Sequence, residues 1–134
     1  TDDGGATDTA TTTVTVTEST TSSILYRLNA GGPEIAAIDG GPDWESDSQY
    51  EQGSVSVSDW SSATYSVGQA VPATTPDAIF ESERYPTDDN TLDYDLPVTS
   101  GESYEVRLYF IEQYSEANGT GERVMDVSME GQRS

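Results

Sequence analysis

The longest regular pattern in this chain is an alternation of apolar and polar residues in "SYEVRLYFIEQY", residues 103–114. Successive side chains of a strand point to opposite faces, so this alternation predicts a strand with one apolar face. That face, which we expect to belong to a core, carries Tyr104, Val106, Leu108 and Phe110. Shorter alternations in "SVSVSDW", "AIFESERY", "TLDYDLPV" and "ERVMDVSMEG" are separated by turn-forming Gly, Pro and Asp, and no segment keeps a helical period. The sequence therefore predicts an all-β fold, an antiparallel, jelly-roll-like β-sandwich.

The charge of the chain excludes several classes of partner. There are 25 acidic residues and five basic ones, for a net charge of −20, and every basic residue is an arginine. Nucleic acids and anionic membrane surfaces are bound through clustered Lys and Arg, and no apolar run approaches the length of a membrane span. Cysteine and histidine are absent, which removes disulfides, thiolate or imidazole metal sites and Ser-His-Asp chemistry. We expect no cofactor.

Such acidity has two interpretations. High net charge with low hydrophobicity is typical of disorder. It is also compatible with a folded domain from a salty environment, where dissolved ions screen the repulsion between carboxylates. Eight tyrosines, two tryptophans and two phenylalanines stand in periodic segments, which a disordered acidic chain would not need. We therefore expect a folded, salt-adapted (halophilic) domain.

The first 23 residues differ in amino-acid composition from the rest of the chain. Thr and Ser dominate residues 1–23, where the only bulky apolar residues are Val14 and Val16. "TDDGGATDTATTTVTVT", residues 1–17, resembles the last hairpin of a polycystic-kidney-disease-type (PKD) domain, which is an immunoglobulin-like sandwich. We therefore expect the end of such a domain at 1–17, a Thr/Ser linker at 18–23 and a second domain at 24–134. The alternative is a flexible linker throughout.

Carboxylates are too numerous for their spacing to identify catalytic residues. Glycoside hydrolysis needs two acids that flank one bond, and Glu81, Glu83 and Asp93 could be considered for that role. A salt-adapted surface, however, scatters carboxylates everywhere. We expect no enzyme and assign no catalytic residue.

Calcium is a second use for acidic side chains. The loop "DGGPDWESD" offers four carboxylates, those of Asp39, Asp43, Glu45 and Asp47. Their spacing does not match the EF-hand loop, and the Gly and Pro residues equally indicate a plain turn. We assign no metal ligand, and whether a cation binds this loop stays open at this point.

Aromatic residues outside the alternating positions give a stronger indication. Proteins bind sugars by placing aromatic rings against the apolar face of the sugar and polar groups at its rim. Three tyrosines at strand ends or in loops could serve in this way: Tyr65, Tyr85 and Tyr114. Other aromatic residues are expected to pack on or cover the core: Trp44, Trp60, Tyr94 and Tyr104.

Four ordered motifs between residues 24 and 132 resemble the malectin domain. They are "YRLNAGGP" with "DGGPDW", then "IFESERY", then "LDYDLPVTSGESYEVRLYFIEQY", and last "GERVMDVSMEGQ". The resemblance implies a jelly-roll-like β-sandwich of the malectin or galactose-binding type. It also implies a non-catalytic carbohydrate-binding module, in which loop aromatics bind a short oligosaccharide, of glucose in the animal founding member.

The resemblance also places site residues. Tyr85 matches the tyrosine that ends the "ERY" motif, Tyr114 matches that of the "IEQY" motif, and Tyr65 matches a third tyrosine across a small gap. The family's next aromatic is replaced by Ser115 here, and its acidic ligand residue lies beyond the part of the family pattern that this chain reaches. Arg84 is expected to pair with an acidic neighbour such as Glu83 or Asp93.

Two functions are compatible with these observations. One is a carbohydrate-binding module of an exported multidomain protein, at the cell surface or outside the cell. The other is a structural or adhesion spacer that has lost ligand binding, with neighbouring domains of the same polypeptide as its partners. Tyr65, Tyr85 and Tyr114 favour the module, while Ser115 and the Thr-rich first residues favour the spacer.

Two further expectations concern the chain itself. "NGT" at Asn118 fits the N-glycosylation pattern, although an Asn-Gly turn explains it as well. The family pattern continues beyond "VMDVSMEGQRS", so we expect a fragment cut at both ends. The face that bears Phe110, Met125 or Val127 should then be incompletely covered.

Overall fold

The structure, a computed structural model, describes residues 23–67, 71–87, 91–117, 119, 121–122, 124–129 and 132–133. Its strands are β1 (Leu28–Asn29), β2 (Glu45–Ser46), β3 (Glu51–Gln52), β4 (Val55–Asp59), β5 (Ser82–Pro86), β6 (Asp93–Tyr94), β7 (Ser128–Met129) and β8 (Gln132–Arg133). Its 3-10 turns are η1 (Asp47–Gln49), η2 (Asp77–Phe80) and η3 (Ser115–Ala117). None of these residues forms an α-helix, which agrees with the all-β prediction.

None of the helical segments in the described ranges has the length and apolar character that a membrane span requires. The expected PKD-type hairpin at residues 1–17, nearly all of the expected linker at 18–23, and the glycosylation candidate Asn118 lie outside the described residues.

Strands in the described part of the chain pair two by two. The longest pair is β4 with β5, antiparallel over five positions, from Val55 opposite Pro86 to Asp59 opposite Ser82. β3 pairs with β6 and β7 with β8, both antiparallel, while the short β1 and β2 run parallel. The larger sheets of a jelly roll are not seen among these residues.

The predicted strand in "AIFESERY" is only half correct. Its second part is β5, but residues 77–80 form the turn η2, which begins after Pro76. Proline has a fixed φ that suits the start of such a turn, and Pro76 has a φ of −63°. Phe80 is the last residue of this turn, and it lies in the interior, where it is 4% exposed.

Aromatic rings meet edge to face around Phe80. The ring of Tyr109 lies 6.5 Å from that of Phe80 and 6.1 Å from that of Trp44, which is 7% exposed. Edge-to-face pairs at these distances add to the stability that burial provides. The expectation that Trp44 packs in the core is confirmed. Tyr109, however, stands on the face of "SYEVRLYFIEQY" that the alternation did not assign to the core.

The opposite face of that segment is exposed. Its four apolar side chains have the exposed fractions 44% (Tyr104), 52% (Val106), 52% (Leu108) and 65% (Phe110). Met125 is 55% exposed, while Val127 is half-buried. The expectation that the face bearing Phe110 is incompletely covered is therefore met, and the fragment from which we derived it stays a prediction.

Candidate functional site

Asp47 is the centre of a buried polar cluster, the Asp47 cluster, whose members are Gly31, Asp47, Arg84 and Tyr94. Asp47 starts η1 and is 0% exposed. Arg84 donates from Nε to Oδ2 and from Nη2 to Oδ1, each over 2.6 Å. Tyr94 donates its hydroxyl hydrogen to Oδ2 over 2.7 Å, and the Gly31 N–H donates to Oδ1 over 3.1 Å. Four hydrogen bonds thus compensate for taking the carboxylate out of water.

These bonds also determine how the cluster titrates. Burial alone would raise the pKa of Asp47, but the hydrogen bonds from Arg84, Tyr94 and Gly31 outweigh it and leave that pKa lowered. Burial and the Asp47 carboxylate together raise the pKa of Tyr94. Hydrogen bonding to Asp47 raises the pKa of Arg84 as well, against the effect of burial. Asp47 and Arg84 are therefore both charged, and Tyr94 is neutral, at neutral pH.

Arg84 does not pair with the acidic neighbours that we expected. Its bidentate partner is Asp47, and its Nη1 lies 3.8 Å from Glu51. Glu83 projects from the opposite face of β5, because successive residues of a strand alternate, and Asp93 lies in β6, where it pairs with Gln52. A partner 37 residues away in sequence could not be identified from the local pattern.

The turn at Gly31 makes this arrangement possible. Gly31 has a φ of +74°, which favours glycine. A Cβ at this position would lie 2.5 Å from the carbonyl oxygen of Glu83, so any side chain here would push the turn away from β5. The Gly-Gly-Pro turn that the sequence predicted is thus also the point where residues 29–33 meet β5.

Tyr85 points away from the Asp47 cluster. In the β4–β5 pair Arg84 stands opposite Val57, and Tyr85 stands opposite Ser56 on the other face. Tyr85 is 38% exposed. Its ring is therefore accessible to a ligand. The neighbouring Arg84 points to the other face of β5, where its hydrogen bonds to Asp47 hold the strand in place.

Tyr65 is half-buried and packs against Phe80. The two rings are 6.5 Å apart, edge to face, and the Tyr65 hydroxyl donates to the carbonyl oxygen of Asp77 over 2.9 Å. Burial, followed by the nearby carboxylates of Glu81 and Asp77, raises the pKa of Tyr65. Phe80 and the Asp77 backbone thus fix the position of the Tyr65 ring.

Tyr114 is connected to the same phenylalanine only through Gln113, its neighbour in sequence. Gln113 donates from Nε2 to the carbonyl oxygen of Phe80 over 2.5 Å. Tyr114 itself is 43% exposed, and its hydroxyl donates to Glu116 over 2.6 Å. Ser115, which stands where the family has a further aromatic, begins η3.

We call the site around Phe80 the Phe80 junction, which comprises Trp60, Tyr65, Phe80, Glu81 and Gln113. Tyr65 packs against this junction, whereas Tyr114 is related to it only as the residue that follows Gln113 in sequence. Tyr85 stands three residues beyond Ser82, the first residue of β5, which is about 10 Å further along the strand. Tyr65 and Tyr85 therefore lie in two parts of the structure joined by β5.

The acidic loop between Asp39 and Asp47 uses each of its carboxylates within the protein. Asp39 accepts two hydrogen bonds from Arg27, and Asp43 accepts one from the Ala37 N–H. Glu45 accepts from the Tyr50 hydroxyl and from Gln49, and Asp47 belongs to its cluster. In the described part of the chain no three acidic side chains are grouped so that they could hold a metal ion.

Sequence reasoning missed Asp47, Trp60 and Gln113. Asp47 was considered only as a calcium ligand, and Trp60 only as a core residue. No local signal could have found Gln113, because it lies on the same face as Tyr109 and the alternation assigned the opposite face to the core.

With this geometry established, comparison with known proteins identifies the class. The profile of the malectin domain matches residues 24–134, so the chain belongs to the malectin domain family. Membership implies a β-sandwich and a non-catalytic carbohydrate-binding module. Neither the curated proteins nor the solved structures contain a significant match to the chain.

Proposed function

We propose that this chain is a carbohydrate-binding module of an exported, salt-adapted multidomain protein, which binds an oligosaccharide through Tyr65, Tyr85 and Tyr114. Membership of the malectin family supports the ligand class. The observation that carries the choice of residues is the exposure of two rings, 38% for Tyr85 and 43% for Tyr114, each next to a side chain that is fixed inside.

An exposed ring on a fixed backbone suits sugar binding because little freedom is lost when the ligand stacks on it. Arg84 fixes the backbone beside Tyr85 through Asp47, and Gln113 fixes that beside Tyr114 through Phe80. The polar groups that sugar binding also needs are supplied by Ser56, across from Tyr85, and by the acidic side chains near the other two tyrosines.

Replacing Tyr85 or Tyr114 by Ala should weaken binding of glucose oligosaccharides by about 1–3 kcal/mol, in line with truncation of other interface aromatics. Tyr104→Ala is the matched control, because Tyr104 is 44% exposed but lies outside the proposed site. Calorimetric titration would compare the four proteins. Equal affinities of the native protein and the Tyr85→Ala variant would remove Tyr85 from the site.

The second candidate is a structural or adhesion spacer between neighbouring domains, with a PKD-type domain ending at residues 1–17. The observation in its favour is Ser115, which removes one stacking surface of the family. A glycan array probed in concentrated salt separates the two candidates, since the spacer binds no glycan and the module binds some.

Salt adaptation has its own test. The net charge of −20 without any lysine makes the folded state repel itself, and dissolved salt screens that repulsion. The melting temperature should therefore rise as KCl is increased to molar concentrations. A melting temperature independent of KCl would refute salt adaptation, and with it this argument for a saline environment outside the cell.

A further inference from the structure

Two buried polar atoms at the Phe80 junction have no hydrogen-bond partner among the described residues. They are the indole Nε1 of Trp60 and the amide oxygen Oε1 of Gln113. Buried polar groups are nearly always hydrogen-bonded, and each exception calls for an explanation. Leaving such a group without a partner lowers stability. Each of these two atoms therefore needs a partner from outside the described residues, either water or a ligand.

Both residues form hydrogen bonds to the backbone carbonyl oxygens of two consecutive residues. The backbone N–H of Trp60 donates to the carbonyl oxygen of Glu81 over 2.7 Å, and Gln113 donates from Nε2 to that of Phe80 over 2.5 Å. The unused atoms are thus a donor and an acceptor whose residues are anchored at one point of the fold. Tyr65 packs against the same Phe80, and Tyr114 follows Gln113 in sequence.

We propose that Trp60 and Gln113 are polar recognition residues of the carbohydrate site, an assignment that rests on the function proposed above. The indole N–H donates to a sugar hydroxyl, and the free amide oxygen accepts from one. A hydroxyl suits this pair because it can donate and accept at the same time. The ring of Tyr65, which packs against Phe80, supplies the apolar contact at this junction.

The surrounding charge narrows the ligand further. The Tyr65 hydroxyl donates to the backbone of Asp77, Glu81 directly follows Phe80, and Glu116 accepts from the Tyr114 hydroxyl. Like charges placed together in an interface are unfavourable. The site therefore selects uncharged sugars over uronic acids and sulfated sugars.

Contact with a ligand requires a local rearrangement, because both atoms are covered in this structure. Exposed side chains change rotamer within picoseconds to nanoseconds. Trp60 and Gln113 are each half-buried as whole residues, so rotation of their own side chains is enough to expose the two atoms.

Trp60→Phe tests the proposal, because it removes the indole N–H and keeps an aromatic ring. Trp44→Phe is the matched control: Trp44 also has an indole N–H without a partner in the described residues, but it packs beside Tyr109 and Arg27. Titration of the full chain with glucose trisaccharides in molar KCl should give an affinity about three- to tenfold lower for Trp60→Phe. The Trp44→Phe variant should match the native protein.

Monodeoxy trisaccharides supply a readout that a structural role would not affect. Loss of the hydroxyl that Trp60 contacts should weaken binding to the native protein and leave binding to Trp60→Phe unchanged. Gln113→Leu should show the same insensitivity for the hydroxyl that donates to Oε1, which keeps the test usable should Trp60→Phe not fold.

Three outcomes would overturn the assignment. If native protein binds the trisaccharides and Trp60→Phe binds them equally well, the recognition role is wrong and the proposed function stands. If every deoxy analogue weakens binding to native protein and to both variants alike, these atoms are satisfied by water only. If native protein binds no sugar, the proposed function fails and this assignment fails with it.

Discussion

Two regions of this chain contain strand-like alternations of apolar residues but differ in how deeply their side chains are buried. In the first, the Asp47 cluster together with Asn29 and Phe80, the residues Asn29, Asp47 and Phe80 come from distant segments and are each at most 4% exposed. In the second, residues 98–129, eight of the large apolar side chains are between 44% and 84% exposed.

The difference shows that alternation alone does not decide burial. Both regions have strand-like patterns, but a side chain is buried only where other segments meet it. In the first region Asn29 accepts from Ser82, 53 residues away, over 3.2 Å, and Asn29 donates to the Pro33 carbonyl over 2.8 Å. Polar pairs thus bring the segments together there, whereas the apolar face of the second region stays largely exposed among the described residues.

The largest effect should follow from breaking the Asp47 cluster. Asp47→Ala leaves Arg84 buried without its bidentate partner and should cost about 3–5 kcal/mol of unfolding free energy. Asp39→Ala also removes an Asp–Arg pair, with Arg27, but that pair is partly exposed and the loss should be much smaller. Urea unfolding in constant molar KCl measures both. Similar losses of unfolding free energy in the two variants would show that the buried Asp47–Arg84 pair contributes no more than the partly exposed one.

Acid should abolish the same contribution. The pKa of Asp47 is lowered in the folded protein, so its stabilisation is present above its unfolded pKa of about 3.9 and is lost as the pH falls through the folded pKa. The difference in unfolding free energy between native protein and Asp47→Ala should therefore be constant near neutral pH and shrink below about pH 4. A constant difference down to the acid limit would contradict the lowered pKa.

The two phenylalanines of the chain compare the regions directly. Phe80 is 4% exposed and Phe110 is 65% exposed. Phe80→Ala should lower the unfolding free energy by about 3 kcal/mol, because it opens a cavity between Tyr65 and Tyr109. Phe110→Ala should change it by no more than about 0.5 kcal/mol. Thermal or urea unfolding measures both changes in unfolding free energy. A large effect of Phe110→Ala would mean that the face bearing Phe110 is covered in solution.

Tyr94→Phe should have a smaller effect, because it removes only one of the four hydrogen bonds on Asp47. A hydrogen bond to a charged group contributes about 1.5–3 kcal/mol, and the partial exposure of Tyr94, 36%, favours the lower end. The pKa of Tyr94 is raised, so this contribution is present below about pH 10 and is lost as the pH rises through the folded pKa. Tyr104→Phe is the control, because the Tyr104 hydroxyl bonds to the uncharged backbone of Thr99 on a ring that is 44% exposed, and an equal loss there would contradict the prediction.

A good part of the fold could be predicted from local pattern. "SVSVSDW" became β4, and the Gly-Gly-Pro turn lies where its composition indicated. "AIFESERY" failed halfway, because packing of Phe80 between two tyrosine rings favoured a compact turn over a strand that the alternation allowed equally well. Local periodicity does not contain the shape of the space into which a ring packs.

The candidate site was predictable only in part for the same reason. Tyr85 and Tyr114 could be selected from motifs, and both rings are exposed. Trp60 and Gln113 could not, because their unused polar atoms are apparent only when the hydrogen bonds of every neighbouring group have been assigned. A side chain's identity gives its hydrogen-bonding capacity, and only its surroundings show which part of that capacity is used.

The sequence by itself determined the family, the β class and the absence of the residues that most metal, disulfide and nucleic-acid chemistry requires. These properties depend on residue types and short spacings, which are fixed along the chain. The tertiary structure alone decided that Arg84 pairs with Asp47, 37 residues away, and that Tyr109, not Phe110, faces the interior. Such choices depend on which distant segments meet, and many pairings of carboxylates with five arginines are compatible with one sequence until packing selects among them.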